Sequence, residues 1–103
     1  MKGSIREQLG NLQIDFKSHN VAIDGERVDL TPKEFRILCF LVEHLNEVIS
    51  RERILNVIWG AGIHVTDRVI DNHITALRKK LSKSDVKIES IYSEGYKITF
   101  HHK

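Results

Sequence analysis

Residues 66–81 read TDRVIDNHITALRKKL, and the way this stretch divides its side chains between two faces decides the fold. At about 100° per residue, Ile70, Ile74, Leu77 and Leu81 fall in one narrow stripe, so the segment is an amphipathic helix with that stripe against a core. Thr66 stands where an N-cap belongs, Asp67 complements the positive end of the helix dipole, and Val65 with Ile70 staples the cap. The opposite face carries Arg68, Val69, Asn72, Thr75, Ala76 and Lys79, with Arg78 and Lys80 nearer its flanks. A solvated face accounts for the charges. A face selected for stability alone, however, would favour Glu, Lys or Gln at its centre over Val, Asn and Thr. A DNA major groove admits one helix, reads bases through short hydrogen bonds and methyl contacts, and offers phosphates on both sides. The outer face of 66–81 suits that task.

Toward the N-terminus, two more helix starts follow the same grammar. Thr31 precedes Pro32 at N1 and Glu34 at N3, a full capping box with Leu30 and Phe35 as its staple. Ser50 repeats the pattern with Ile49 and Ile54, but Arg53 occupies N3, so half the box is present. Each cap contributes about 1 kcal/mol. Helices are predicted over 32–45, 51–59 and 67–81, with Gly60 stopping the second. Upstream of them, Leu12, Ile14, Phe16, then Val21, Ile23, then Val28, Leu30 alternate as three half-buried strands. Asp24-Gly25 is a type I′ hairpin signal between the second and third. Residues 1–10 are polar and aperiodic, as a linker or cloning remnant is, which leaves 11–103 as the domain.

Beyond Leu81, the polar stretch 82–85 reads as a loop. Ile88, Ser90, Tyr92 and then Tyr96, Ile98, Phe100 alternate around Ser93-Glu94-Gly95, a hairpin. The expected architecture is α+β: an N-terminal antiparallel meander, three helices and a C-terminal β-hairpin wing, a winged helix-turn-helix. The wing tip, Tyr92 to Tyr96, reaches a sugar-phosphate backbone or minor groove in one reading and is a packed sheet edge in the other. A tryptophan at the position of Trp59 is more often a core filler than a contact, although its indole N–H suits a phosphate if the ring is only partly buried.

Composition bounds the answer without deciding it. The 103 residues are 41% hydrophobic, enough for one small core. Sixteen basic against fourteen acidic residues give a formal charge of +2, too mild to point to nucleic acid, so the distribution of charge carries the argument. The single cysteine, Cys39, lies in an apolar run; a buried, reduced thiol in a cytoplasmic protein is the simple reading. No apolar run approaches the roughly 18 residues of a membrane span, and the first ten residues lack a signal-peptide core. Of six histidines, His19, His44, His64 and His73 are scattered without paired spacing and the adjacent His101 and His102 sit at the C-terminal end; no Gly-rich phosphate loop, nucleophile elbow or cysteine pair is present. No catalytic residue, metal or cofactor is expected.

Trp59-Gly60, 67–74 (DRVIDNHI), 77–81 (LRKKL) and Gly95-Tyr96, with the Leu-Thr-Pro-Lys-Glu-Phe and Ser-Arg-Glu starts of the first two helices, together resemble the winged-helix output domain of OmpR/PhoB-type response regulators. The resemblance runs in order from about Leu12 to Phe100. It implies transcriptional regulation by double-stranded DNA binding in a two-component system, downstream of a phosphorylatable receiver domain. The third helix would enter the major groove and the wing would touch the minor groove, with copies pairing head-to-tail on direct repeats. By position, Val69, Asn72 and Ala76 would face bases, and Trp59, Arg68, His73, Thr75, Arg78 and Lys79 would neighbour phosphates. Ser90, Tyr92 and Tyr96 would make the wing contacts. The loop holding Ala61, Gly62, Ile63 and His64 resembles the segment relatives present to RNA polymerase. Relatives usually carry arginine where Thr75, Ala76 and Tyr92 stand, and Glu94 adds a negative charge at the wing tip. The implied domain binds more weakly, leans less on guanine, and depends more on methyl contacts, Asn72-adenine pairing and dimerisation. The arginine-poor face also leaves open a winged-helix module that binds another protein; that version would expose an apolar patch on the third helix, whereas Val69 and Ala76 form only a small one.

Overall fold

The structure, a computed structural model, describes residues 6–63 and 65–101. In chain order the elements are β1 (Arg6–Leu9), β2 (Leu12–Asp15), β3 (Asn20–Ile23), β4 (Glu26–Val28), α1 (Pro32–Glu43), α2 (Arg51–Ile58), α3 (Asp67–Lys80), β5 (Val86–Ile91) and β6 (Gly95–Phe100). The meander, three helices and wing expected from the sequence are all present, and each helix ends one or two residues early, where helix ends fray.

The N-terminal sheet has four strands in the order β1-β2-β3-β4, all antiparallel neighbours. The extra strand, β1, falls inside the stretch read as a linker, which is a correction to the domain boundary. Its residues REQL show no apolar alternation. What places it is the register, which sets Leu9 opposite Leu12 and Glu7 opposite Ile14, and the packing of Leu9 on the core. The turn after it is also tied down. The Asn11 backbone N–H donates to Asp85 Oδ2 at 2.9 Å, its side-chain amide donates to the Lys83 carbonyl at 2.9 Å, and its Oδ1 accepts from the Asp85 N–H at 2.8 Å. Met1 to Ile5, the rest of that stretch, lie outside the described residues. Asp24 and Gly25 both take positive φ, 53° and 80°, as a type I′ turn requires.

Inward-facing Leu12, Ile14, Val21 and Ile23 of the sheet join Phe35, Ile37, Leu38 and Leu41 of α1, Ile54 and Ile58 of α2, and Ile88 and Ile98 of the wing in one core. The predicted stripe of α3 closes it: Ile70, Ile74 and Leu77 are fully buried and Leu81 nearly so. Full burial of each such side chain stabilises by about 1.5–3 kcal/mol. Thr31 accepts from the Glu34 N–H and Glu34 returns the bond to the Thr31 N–H, so the box is complete; Ser50 accepts from the Arg53 N–H. Thr66 does not repeat this. Its backbone is extended like the other two caps, but its side chain makes no capping hydrogen bond, so the third start rests on the buried stripe and on Asp67.

The wing is held to the body by backbone as well as side chains. Ile49 and Tyr96 exchange two hydrogen bonds, 2.8 and 2.9 Å, and Asn46 N–H donates to the Ile98 carbonyl at 2.9 Å, so the segment between α1 and α2 lies along β6 as a third edge. Gly95 makes that approach possible: a Cβ there would lie 2.0 Å from the Ile49 carbonyl oxygen, and its φ of 137° suits glycine alone. Cys39 is half-buried rather than buried, and burial, helped by Glu43, pushes its thiol up to about 12, so it stays protonated. No helix among the described residues is long and apolar enough to cross a membrane.

Candidate nucleic-acid interface

α3 and the wing lie side by side, and the side chains between them form one polar network around Asp71. Arg51 at the start of α2 donates from Nε to Asp71 Oδ1 at 2.8 Å, and the Tyr96 hydroxyl donates to the same oxygen at 2.5 Å. Burial alone would raise the Asp71 carboxyl, but the hydrogen bonds from Arg51 and Tyr96, with the charges of Arg51 and Arg68, hold it below its ordinary 3.8. Tyr96 is raised above its ordinary 10.0 by burial and then by donating to Asp71. Arg78 closes the network: Nε donates to the Ile88 carbonyl at 2.8 Å, a terminal nitrogen donates to Ser90 Oγ at 2.7 Å, and the guanidinium lies 5.5 Å from the Tyr96 ring centroid. Arg51 lies at the same distance from that ring. Lys80, at the end of α3, reaches Glu34 Oε1 at 2.7 Å and so ties α3 to the first turn of α1. Burial works against the Glu34 charge, but Lys80 and the Thr31 N–H outweigh it and keep the carboxyl below its ordinary 4.5.

Measured against this geometry, the sequence-based site divides. Arg68, Asn72 and Lys79 are exposed along α3, and none of them makes a hydrogen bond or ion pair among the described residues. Val69 and Ala76 are half-buried on the same side and leave a shallow apolar surface. Trp59, the cap residue of α2, and His73 on α3 are half-buried neighbours, with ring centroids 5.4 Å apart. Tyr92 is 94% exposed at the wing tip.

Four assignments change. Tyr96 is 4% exposed, part of the core, with its hydroxyl bound to Asp71, so it is no exposed wing contact. Arg78 grips the wing with two nitrogens, and Ser90 is one of the groups it grips. Thr75 is exposed, but its hydroxyl proton is directed to the Asp71 carbonyl at 2.9 Å, one turn back along α3. Ala61, Gly62 and Ile63 of the α2–α3 loop are exposed; His64 lies outside the described residues. Helical periodicity gives no role to Asp71 or Arg51. Arg51 stands in the first turn of α2, where a cation opposes the helix dipole, but Lys33 and Arg68 stand likewise in the first turns of α1 and α3, so that position does not single Arg51 out.

A helix seated across two others, with one face unpaired and a two-stranded hairpin clamped beside it, is the winged helix-turn-helix class. The family model described as "Transcriptional regulatory protein, C terminal" matches residues 25–98. The chain is 36% identical over 94 residues to the phosphate regulon transcriptional regulatory protein PhoB of Klebsiella pneumoniae, covering 89% of this chain and 41% of that protein. Among solved structures, the Klebsiella pneumoniae RstA DNA-binding domain in complex with the RstA box superposes with a TM-score of 0.83 at 28% identity, over 93% of this chain and 98% of that one. The DNA-binding domain of Bacillus subtilis CssR superposes with a TM-score of 0.78 at 34% identity, over 84% and 98%. The chain belongs to the family of C-terminal, OmpR/PhoB-type domains of transcriptional regulators. It spans about two-fifths of the length of the curated relatives it matches.

Proposed function

We propose that the chain binds double-stranded DNA sequence-specifically, as the output domain of a two-component response regulator in the cytoplasm, and performs no reaction of its own. The observation that carries this reading is the contrast on α3: its wing-facing polar groups are satisfied within the chain, while Arg68, Asn72 and Lys79 are exposed and unpaired among the described residues. Buried or clamped polar groups fix the frame; unpaired groups on a rigid helix are available to a partner. Family membership and the DNA complex of the RstA domain support it.

In this reading Asn72 pairs with an adenine edge, and Val69 and Ala76 meet thymine methyls. Arg68, Lys79, Trp59 and His73 contact phosphates, and Tyr92 lies against the backbone or minor groove. Arg78, Ser90 and Tyr96 act through the clamp that sets the wing. Copies pair head-to-tail on direct repeats, and the loop with Ala61, Gly62 and Ile63, whose Ile63 is 47% exposed, meets RNA polymerase. A mobility-shift assay on fragments of the protein's own promoter, with wild type, Asn72→Ala and Arg68→Ala, tests the face. Loss of a good Asn-adenine pair weakens operator binding by about 1–3 kcal/mol. Unaltered binding in both variants overturns the assignment, and no shift by the wild type favours a protein-binding module.

A further inference from the structure

Three donor-bearing side chains from three helices are linked through the Trp59 ring beside α3, and no acceptor among the described residues takes a hydrogen bond from any of them. Lys33, in the first turn of α1, places Nζ 5.5 Å from the centroid of the Trp59 ring. The Trp59 ring in turn lies 5.4 Å from the His73 imidazole, tilted at 53°. All three residues are half-buried. Among the described residues, neither the Lys33 ammonium, the Trp59 indole N–H nor the His73 ring makes a hydrogen bond, and no carboxylate pairs with Lys33. The contrast with Lys80 is direct. One position along α1, Glu34 holds that lysine at 2.7 Å, whereas Lys33 is held only by a ring face, which attracts the cation and leaves its N–H donors unused.

We propose that Lys33, Trp59 and His73 form one phosphate-binding site built from α1, α2 and α3, in which Lys33 supplies the charge. The proposal rests on the reading of α3 as the DNA-reading helix and extends it to α1, which that reading leaves out of the interface. The indole is a pure donor, the ammonium carries three donors and no acceptor, and a singly protonated imidazole adds one more. Such a set fits an anion with several acceptor oxygens, and the duplex beside α3 presents a row of them. The ring contact holds the lysine stem before binding, so less side-chain freedom is lost when the phosphate arrives. Because the three donors come from different helices, the site also fixes how deeply α3 sits in the groove.

The test is a salt titration of binding to a short mixed-sequence duplex, which reads phosphate contacts without needing the operator. Wild type is compared with Lys33→Gln, Lys33→Arg, Arg68→Ala and, as a remote control, Lys17→Gln in the exposed β2–β3 turn. Removing one phosphate contact lowers the slope of log K against log salt by about one unit and weakens binding roughly five- to tenfold at about 0.1 M salt. Lys33→Gln is expected to show that loss, Lys33→Arg to keep the wild-type slope, and Lys17→Gln to change nothing. Trp59 is the single tryptophan, so its emission reports the site directly and is expected to change as duplex saturates the wild type. An unchanged slope in Lys33→Gln, with a lowered slope in Arg68→Ala, overturns the site and leaves the DNA-reading helix standing. A duplex that binds without altering Trp59 emission overturns it in the same way. No duplex binding by the wild type overturns both readings together.

Discussion

The two sides of α3 carry similar residue types, and the fold treats them oppositely. Toward the wing, Asp71 and Arg78 are hydrogen-bonded to side chains and backbone of other elements; on the outer side Arg68, Asn72 and Lys79 have no hydrogen bond among the described residues, and exposed Thr75 bonds only back to its own helix. Charge on a helix therefore does not say which charges await a partner. The engaged set fixes the angle between α3 and the wing through Arg51, Tyr96, Ile88 and Ser90, and the unengaged set projects from that fixed frame. A reader preorganised in this way has less to order on binding.

The contrast can be broken first at neighbouring positions. Ile74, fully buried, stands two residues from exposed Asn72. Ile74→Ala is expected to lower unfolding free energy by about 2–5 kcal/mol in denaturant titration. Asn72→Ala is expected to stay within about 0.5 kcal/mol of wild type in the same measurement, because it removes no intramolecular partner. Equal losses in the two variants would erase the distinction between the held and free sides.

The Asp71 hub sharpens it. Asp71→Asn removes the charge that orders Arg51 and Tyr96, at a cost of about 1–2 kcal/mol near neutral pH. The sign of its pH dependence follows from the depressed carboxyl. A group whose folded pKa lies below its unfolded value stabilises above that unfolded value, here about 3.8, and the contribution is lost as pH falls through the depressed one. Wild type and Asp71→Asn are therefore expected to differ most in Tm at neutral pH and to converge below pH about 4. A gap that persisted into acid would show that Asp71 acts by shape and not by charge. The smallest effect separates two helix starts that look alike in sequence. Ser50→Ala is expected to cost about 1 kcal/mol, and Thr66→Ala a few tenths, since only Ser50 caps with its side chain.

Much of this was legible in the residues. The stripe Ile70, Ile74, Leu77, Leu81 announced α3 and its buried face, Asp24-Gly25 announced its turn, and the alternation from Ile88 to Phe100 announced the wing. β1 was illegible because REQL has no period; its place comes from pairing with β2 and from Asn11 gripping Asp85, 74 positions away. The outer face of α3 was legible as a face, but the fates of Arg78 and Tyr96 were not. Both look like DNA contacts from their residue type and position near the reader, and both are committed to groups that only chain reversal brings near.

The sequence by itself determined the order of the elements after β1, the apolar sides they bury and the helix that presents a polar outer face, because hydrophobic period, caps and turn residues act within a few positions of one another. Only the tertiary structure decided which polar groups remain open. Hydrogen bonds saturate, and whether Arg78 meets Ser90, Lys80 meets Glu34, or Lys33 meets only an indole among the described residues depends on which distant groups lie within about 3 Å of its donors.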